Sequence, residues 1–198
     1  MKRPYRIAVF GASACGKTAL IRRFVSGDYT DIYDPTIEDR YKKTMIYQGK
    51  PVHLEILDSS GKELISEMMT RYITSADAFM VVYSVGSRKS FEHAVHLFSQ
   101  IAKIRGVNSV ENKLQIARLL VAAKCDSDYR EVSPDEGNTL SAQLSCSFAE
   151  VSAKMNINIP EVFEEMVSQR HYIETMESSR RRNQQLYGNS GSSWCCFL

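Results

Sequence analysis

Nothing in these 198 residues approaches the ~20 consecutive apolar positions that cross a bilayer as a helix. The start is not leader-like either: Met1-Lys2-Arg3-Pro4-Tyr5 runs into a strand-like pattern, and Lys2 stands where N-myristoylation needs glycine. The cytosol is therefore the expected default address. The five cysteines, Cys15, Cys125, Cys146, Cys195 and Cys196, have neither the density of a disulfide framework nor the spacing of a zinc site. That suits a reducing compartment. An excess of one charge is also missing. The net charge of +2 gives no global pull toward nucleic acid or acidic substrates, so nucleic acid is not an expected partner and any membrane attraction has to be local. There are no internal repeats.

What is present is ordinary globular material, 43% hydrophobic and 24% charged, enough for one α/β domain plus a tail. Ile7-Ala8-Val9-Phe10 is a short apolar run of the buried-strand kind, followed by a glycine-rich turn. Val52, Leu54 and Ile56 alternate with His53 and Glu55, as in a half-buried strand, and Gln48-Gly49-Lys50-Pro51 joins them to the run Tyr41 to Tyr47 as a hairpin. Phe79 to Val85 and Arg118 to Ala123 read as buried strands. Between them, Phe91, Ala94, Val95, Phe98, Ile101 and Ala102 recur at helical spacing. Ser133-Pro134-Asp135-Glu136 is a capping box with proline at the first helical position. Val162, Phe163, Met166, Val167 and Ile173 mark a last amphipathic helix, and beyond about Ser178 the pattern gives way to Arg, Asn, Gln, Ser and Gly. Strands alternating with helices predict a mostly parallel sheet covered on both faces, with ligands at the carboxyl ends of the strands.

Gly11-Ala12-Ser13-Ala14-Cys15-Gly16-Lys17-Thr18 matches the phosphate-loop pattern GxxxxGK[ST] in full, directly after the first strand and before a helical pattern. Backbone N–H groups and the helix N-terminus can cradle phosphates there. Lys17 can reach the β and γ oxygens, and Thr18 can hold Mg²⁺. A phosphate loop alone names neither the base nor the reaction.

Later segments resemble Ras-family small GTPases, in order and at the right intervals. Tyr33-Asp34-Pro35-Thr36-Ile37-Glu38-Asp39-Arg40-Tyr41 resembles the first switch and effector loop of Ras and Rap proteins. Asp58-Ser59-Ser60-Gly61-Lys62-Glu63 takes the place of the DxxGQE second switch. Ala123-Lys124-Cys125-Asp126 is similar to the NKxD base-reading motif, and Val151-Ser152-Ala153-Lys154 to the SAK loop. The similarity runs from residue 5 to about residue 173, with extra residues near Gly106 to Leu114. It implies an α/β P-loop NTPase fold: a six-stranded, mostly parallel sheet with one antiparallel edge strand and helices on both faces. It also implies a switch that holds GTP or GDP with Mg²⁺ and hydrolyses GTP.

The nucleotide-binding residues that the resemblance implies are Gly11, Ser13, Ala14, Cys15, Gly16, Lys17, Thr18, Ala19, Tyr29, Pro35, Thr36, Asp58, Gly61, Lys124, Asp126, Ser152, Ala153 and Lys154. Thr18 and Thr36 would hold Mg²⁺ directly and Asp58 through water. Taken alone, Asp58 after a strand would be a turn or cap residue; Gly61, whose N–H would meet the γ-phosphate, favours the metal role. Asp126 would accept from the guanine N1–H and 2-amino groups, Lys124 would lie over the base, Ala153 would donate to the base carbonyl, and Tyr29 would stack on the ring. Residues 33–41 would form the effector surface, with partners adding a strand to this edge.

Several positions depart from the family pattern. Lys62 replaces the glutamine that positions the attacking water, and an ammonium can only donate where the amide both donates and accepts. Ser13 replaces a glycine that leaves room for an activator's arginine finger, and Ser60 replaces a small apolar residue. With Lys17, Gly61 and a defective Lys62 as the catalytic set, slow hydrolysis is expected, because finger and glutamine together supply about 10⁵-fold. Ala123 replaces the asparagine that contacts the base, which predicts looser nucleotide. Arg40 replaces a small effector-loop residue and narrows the choice of partner. The alternative from another class is a non-hydrolysing, membrane-tethered binding module held in its GTP form.

The sequence ends Cys195-Cys196-Phe197-Leu198, a CaaX ending in which Leu198 favours geranylgeranylation of Cys195 and Cys196 leaves dual prenylation open. Arg180-Arg181-Arg182 would add attraction to anionic lipid or end the helix favourably. The expected layout is a GTPase domain over 1–177 and a flexible tail over 178–198. The expected partners are effectors, exchange factors, activating proteins and a membrane. The expected state is a monomer on the cytoplasmic face of the plasma membrane.

Overall fold

β1 (Tyr5–Gly11) is apolar almost throughout because it has core on both sides. Ile7 and Val9 face one hydrophobic cluster, and Ala8 and Phe10 face the other. The computed structural model describes residues 3–31, 36, 38–61, 67–106 and 116–187, with backbone alone at 38 and 183–187. The other described elements are α1 (Lys17–Ser26), β2 (Glu38–Tyr47), β3 (Lys50–Ser59), α2 (Glu67–Ser75), β4 (Ala78–Ser84), α3 (Arg88–Ile104), β5 (Ala117–Ala123), α4 (Pro134–Leu144), β6 (Ser147–Val151) and α5 (Ile159–Tyr187).

The six strands lie in the order β2-β3-β1-β4-β5-β6. β2 runs antiparallel to β3, and every other pairing is parallel. This is the Ras-type P-loop fold that the sequence implied. The hairpin turn is tighter than the four residues assigned to it. Gln48 and Gly49 both take positive φ, 49° and 73°, and Tyr47 pairs directly with Lys50, as a two-residue turn with the twist of its strands requires.

One core cluster packs α1 and α5 on the sheet, with Leu20, Ile21, Phe24, Phe163 and Met166 buried. The other packs α2, α3 and α4, with Met69, Ile73, Phe98, Ile101 and Leu140 buried. Each fully buried aliphatic or aromatic side chain contributes roughly 1.5–3 kcal/mol by leaving water. Val95, expected on the apolar stripe of α3, is 38% exposed, while Leu97 is buried. The α4 capping box forms in both directions, Ser133 to the Glu136 N–H and Glu136 to the Ser133 N–H.

α5 continues past Ser178 to Tyr187, beyond the point where apolar periodicity ends. Ser178 and Ser179 donate to the carbonyls of Glu174 and Thr175, at 2.7 and 3.0 Å. Arg and Gln are good helix formers, so the backbone stays helical without an apolar face to announce it.

Candidate functional site

The phosphate loop is fixed from below. A methyl group on Gly11 would lie 2.2 Å from the Val82 carbonyl oxygen, so only glycine fits between β1 and β4. Cys15 turns its thiol into the core, where Sγ meets the same carbonyl at 3.3 Å and burial raises its pKa. Of Cys15, then, the loop presents only backbone. Lys17 is buried, and its ammonium donates to the carbonyls of Gly11 and Ala12, each at 2.9 Å. That holds the charge over the rim of the loop.

Three oxygen-bearing side chains converge beside it. Thr18 Oγ1 donates to Asp58 Oδ2 at 2.6 Å and lies 2.9 Å from Thr36 Oγ1. Asp58 lies next to last in β3, and burial pushes its carboxyl up to about 6 although the Thr18 hydroxyl and the Lys17 ammonium pull the other way. Its second oxygen, Oδ1, is buried without a hydrogen-bond partner. Two hydroxyls beside a carboxylate with an unused oxygen form a hard donor set of the kind Mg²⁺ takes, completed by water and phosphate. The residues fit the metal.

The second switch begins against this loop. Gly61 has φ +76°, and a methyl group on it would lie 2.6 Å from Ser13 N and 2.7 Å from Lys17 Nζ. Glycine is required there for both conformation and space. Ser13 Oγ donates to the backbone carbonyl of Ser60 at 3.4 Å, so the side chain that replaces glycine touches the start of the second switch. Lys62 lies outside the described residues, as do Tyr33, Asp34, Pro35, Ile37 and Cys195.

At the other end, Lys124 takes a left-handed conformation, φ 62°, and its Nζ donates to the Ala14 carbonyl at 3.0 Å. Ala123 is buried, and its methyl would lie 3.3 Å from a methyl placed on Gly16. The Ser152 hydroxyl is buried and accepts from the Met155 N–H at 2.9 Å, while the Ser152 and Ile157 backbones exchange two hydrogen bonds. Ser152 therefore shapes the loop and leaves the wall to Ala153 and Lys154. The Tyr29 hydroxyl donates to Asp31 at 2.7 Å, a bond that pushes the phenol up to about 12.

A cavity of about 900 Å³ joins these ends. Of the residues expected at the nucleotide, Ala14, Gly16, Lys17, Thr18, Ala19, Tyr29, Thr36, Lys124, Asp126, Ala153 and Lys154 line it. Gly11, Cys15, Asp58 and Ser152 stand behind as supports. Sequence reasoning missed Asp28, Thr30, Asp31, Ser127 and Asp128, which also line it. Their place beside Tyr29 and Asp126 was the only available signal. On the effector side, Asp39 and Arg40 are exposed on the edge strand β2, and Arg40 pairs with Glu55 at 3.3 Å. Tyr41 is half-buried and accepts from Arg22 Nε at 3.5 Å.

Comparison with known proteins agrees with this geometry. The model of the Ras family matches residues 6–172. The chain is 38% identical to human GTP-binding protein Di-Ras1 over 164 residues, 83% of this chain and 80% of that protein. It is 39% identical to GTP-binding protein Di-Ras2 of Pongo abelii over 165 residues, with the same coverage of 83% and 80%. Ras-like protein 2 of Mucor circinelloides f. lusitanicus is 32% identical over 197 residues, 99% of this chain and 95% of that one. With the family model matching residues 6–172 and relatives 32–39% identical over most of its length, the chain belongs to the Ras family of GTP-binding, GTP-hydrolysing signalling switches.

Proposed function

We propose that this Ras-family switch hydrolyses GTP slowly and responds poorly to an arginine-finger activator. The observation that carries the reading is the contact between Ser13 Oγ and the Ser60 carbonyl. A side chain occupies the gap between phosphate loop and second switch where the resemblance calls for glycine. In the reaction a water oxygen bonds to the γ-phosphorus, the bond to the β–γ bridging oxygen breaks, and the proton of the water passes to the phosphate products. Mg²⁺, held by Thr18, Thr36 and, through water, Asp58, supplies charge neutralisation when bound. Lys17 would offset charge on the β and γ oxygens, and Gly61 would offer its N–H to the γ-phosphate. Lys62, in the water-positioning place, brings a donor-only ammonium. Its charge would favour ground and transition states alike, which does not speed the step.

Single-turnover hydrolysis of bound GTP, with and without a Ras-family activating protein, tests this in the parent, Lys62→Gln, Ser13→Gly and the double variant. The double should gain far more from the activator than the two singles together, because finger and glutamine act on one transition state. A parent already as fast as the stimulated double overturns the reading.

In the GTP-bound form, effectors would dock on the first switch and the β2 edge, with Arg40 selecting partners that carry an acidic group opposite it. A prenyl group on Cys195 would hold the protein on the cytoplasmic face of a membrane. The rival, a permanently GTP-bound module, predicts that protein purified from cells carries only GTP and releases no phosphate on standing.

A further inference from the structure

Strand β2 carries a cation that the nucleotide site does not touch. Lys43 Nζ donates to the carbonyls of Phe24 and, at 3.3 Å, Val25, and it lies 4.4 Å from the centre of the Phe24 ring. Both carbonyls belong to the last turn of α1, where the final C=O groups lack partners within the helix. A cation there also meets the negative end of the helix dipole. Phe24 stacks in turn on Phe163 of α5, ring centres 3.8 Å apart. Lys43 thus clamps the end of α1 from the edge of the sheet.

That helix end holds both lips of the base end of the cavity. Gly27 closes α1 in a left-handed conformation, its N–H on the Arg23 carbonyl. Arg23 Nη1 returns a bond to the Gly27 carbonyl at 2.6 Å, and Arg23 Nε donates to Asn156 Oδ1 at 3.3 Å. Asn156 follows Ala153 and Lys154, which form one lip, while Asp28 and Tyr29 form the other.

We infer that Lys43 is a positioning residue for nucleotide retention: by locking the C-terminal turn of α1 it fixes the 27–31 segment, and with it Tyr29, over the base. The inference rests on the reading of Tyr29 as the residue that stacks on guanine. The Lys43 partners named above, Phe24 and Val25, belong to the C-terminal turn of α1, which leads into the base end of the cavity, so its effect falls there.

The test is release of a ribose-labelled fluorescent GDP, with Mg²⁺, from the full chain and from Lys43→Met, Tyr29→Ala and the double variant. Lys43→Met keeps the apolar stem over Phe24 but removes the donor, and it should speed release about five- to tenfold. Tyr29→Ala should speed it at least as much, and the double should be no faster than Tyr29→Ala, because both act through one segment. The extra acceleration caused by EDTA should match the parent's in Lys43→Met, which general loosening of the fold would not leave intact. Lys43→Gln, with a neutral donor, should give an intermediate rate and carries the test if the methionine variant does not fold. Factors that multiply in the double overturn the inference and leave the base site standing. Unchanged release in the Lys43 variants also overturns it, and a Tyr29→Ala variant without effect overturns both.

Discussion

Lys124 Nζ and the Ala14 carbonyl, 3.0 Å apart, fasten the base-reading loop to the phosphate loop across the floor of the nucleotide cavity. This bond does part of what an asparagine at position 123 would do. It would do nothing for a bound base, which in the proposed reading would meet the Ala123 methyl in place of a hydrogen-bonding amide. Ala123→Asn should therefore slow GDP dissociation about tenfold, corresponding to about 1.4 kcal/mol for the regained contact. Off-rates of fluorescent GDP in the two proteins check it. An unchanged rate would mean that Lys124 already compensates fully.

Asp58 gives a prediction in pH. Its carboxyl is raised from the ordinary 3.8 to about 6, chiefly by burial. The folded protein therefore binds this proton more tightly than the unfolded chain does. The stability the proton contributes is full below about pH 3.8 and is lost as the pH rises through about 6. Near neutral pH, without nucleotide or divalent cation, the ionised group costs on the order of 1–3 kcal/mol. Asp58→Asn should melt above the parent there, lose that advantage near pH 4, and no longer retain nucleotide better when Mg²⁺ is added. A variant that melts below the parent at both pH values would contradict this reading.

The tail gives a third. Cys195→Ser should move the protein from the membrane fraction to the cytosol, and mass spectrometry of the parent should find the prenyl group on Cys195. Equal fractionation of both forms would point to Arg180, Arg181 and Arg182 as the anchor.

How much of this was legible in the sequence depends on the range of the cause. The phosphate loop, the buried strands and the capping box are set by neighbours within a few residues, and the structure has them where local patterning put them. The nucleotide residues could be named through the resemblance, but their division into wall and support could not. The inward turn of the Cys15 thiol depends on the Val82 carbonyl, 67 positions away. Lys43 gave no signal at all. In sequence it is one of two adjacent lysines on a half-exposed strand, and only the packing of α1 against β2 turns it toward helix carbonyls. The reach of α5 to Tyr187 has a different cause, since beyond Ser178 the sequence has no periodic apolar stripe to read.

Slow hydrolysis comes down to one rate. Protein loaded with GTP and Mg²⁺ and freed of excess nucleotide should release phosphate without any activator at least about tenfold below the unassisted Ras rate of about 4 × 10⁻⁴ s⁻¹, because Lys62 cannot accept a hydrogen bond from the attacking water. A rate at or above the Ras value would mean that hydrolysis is not slow and that another group orients the water.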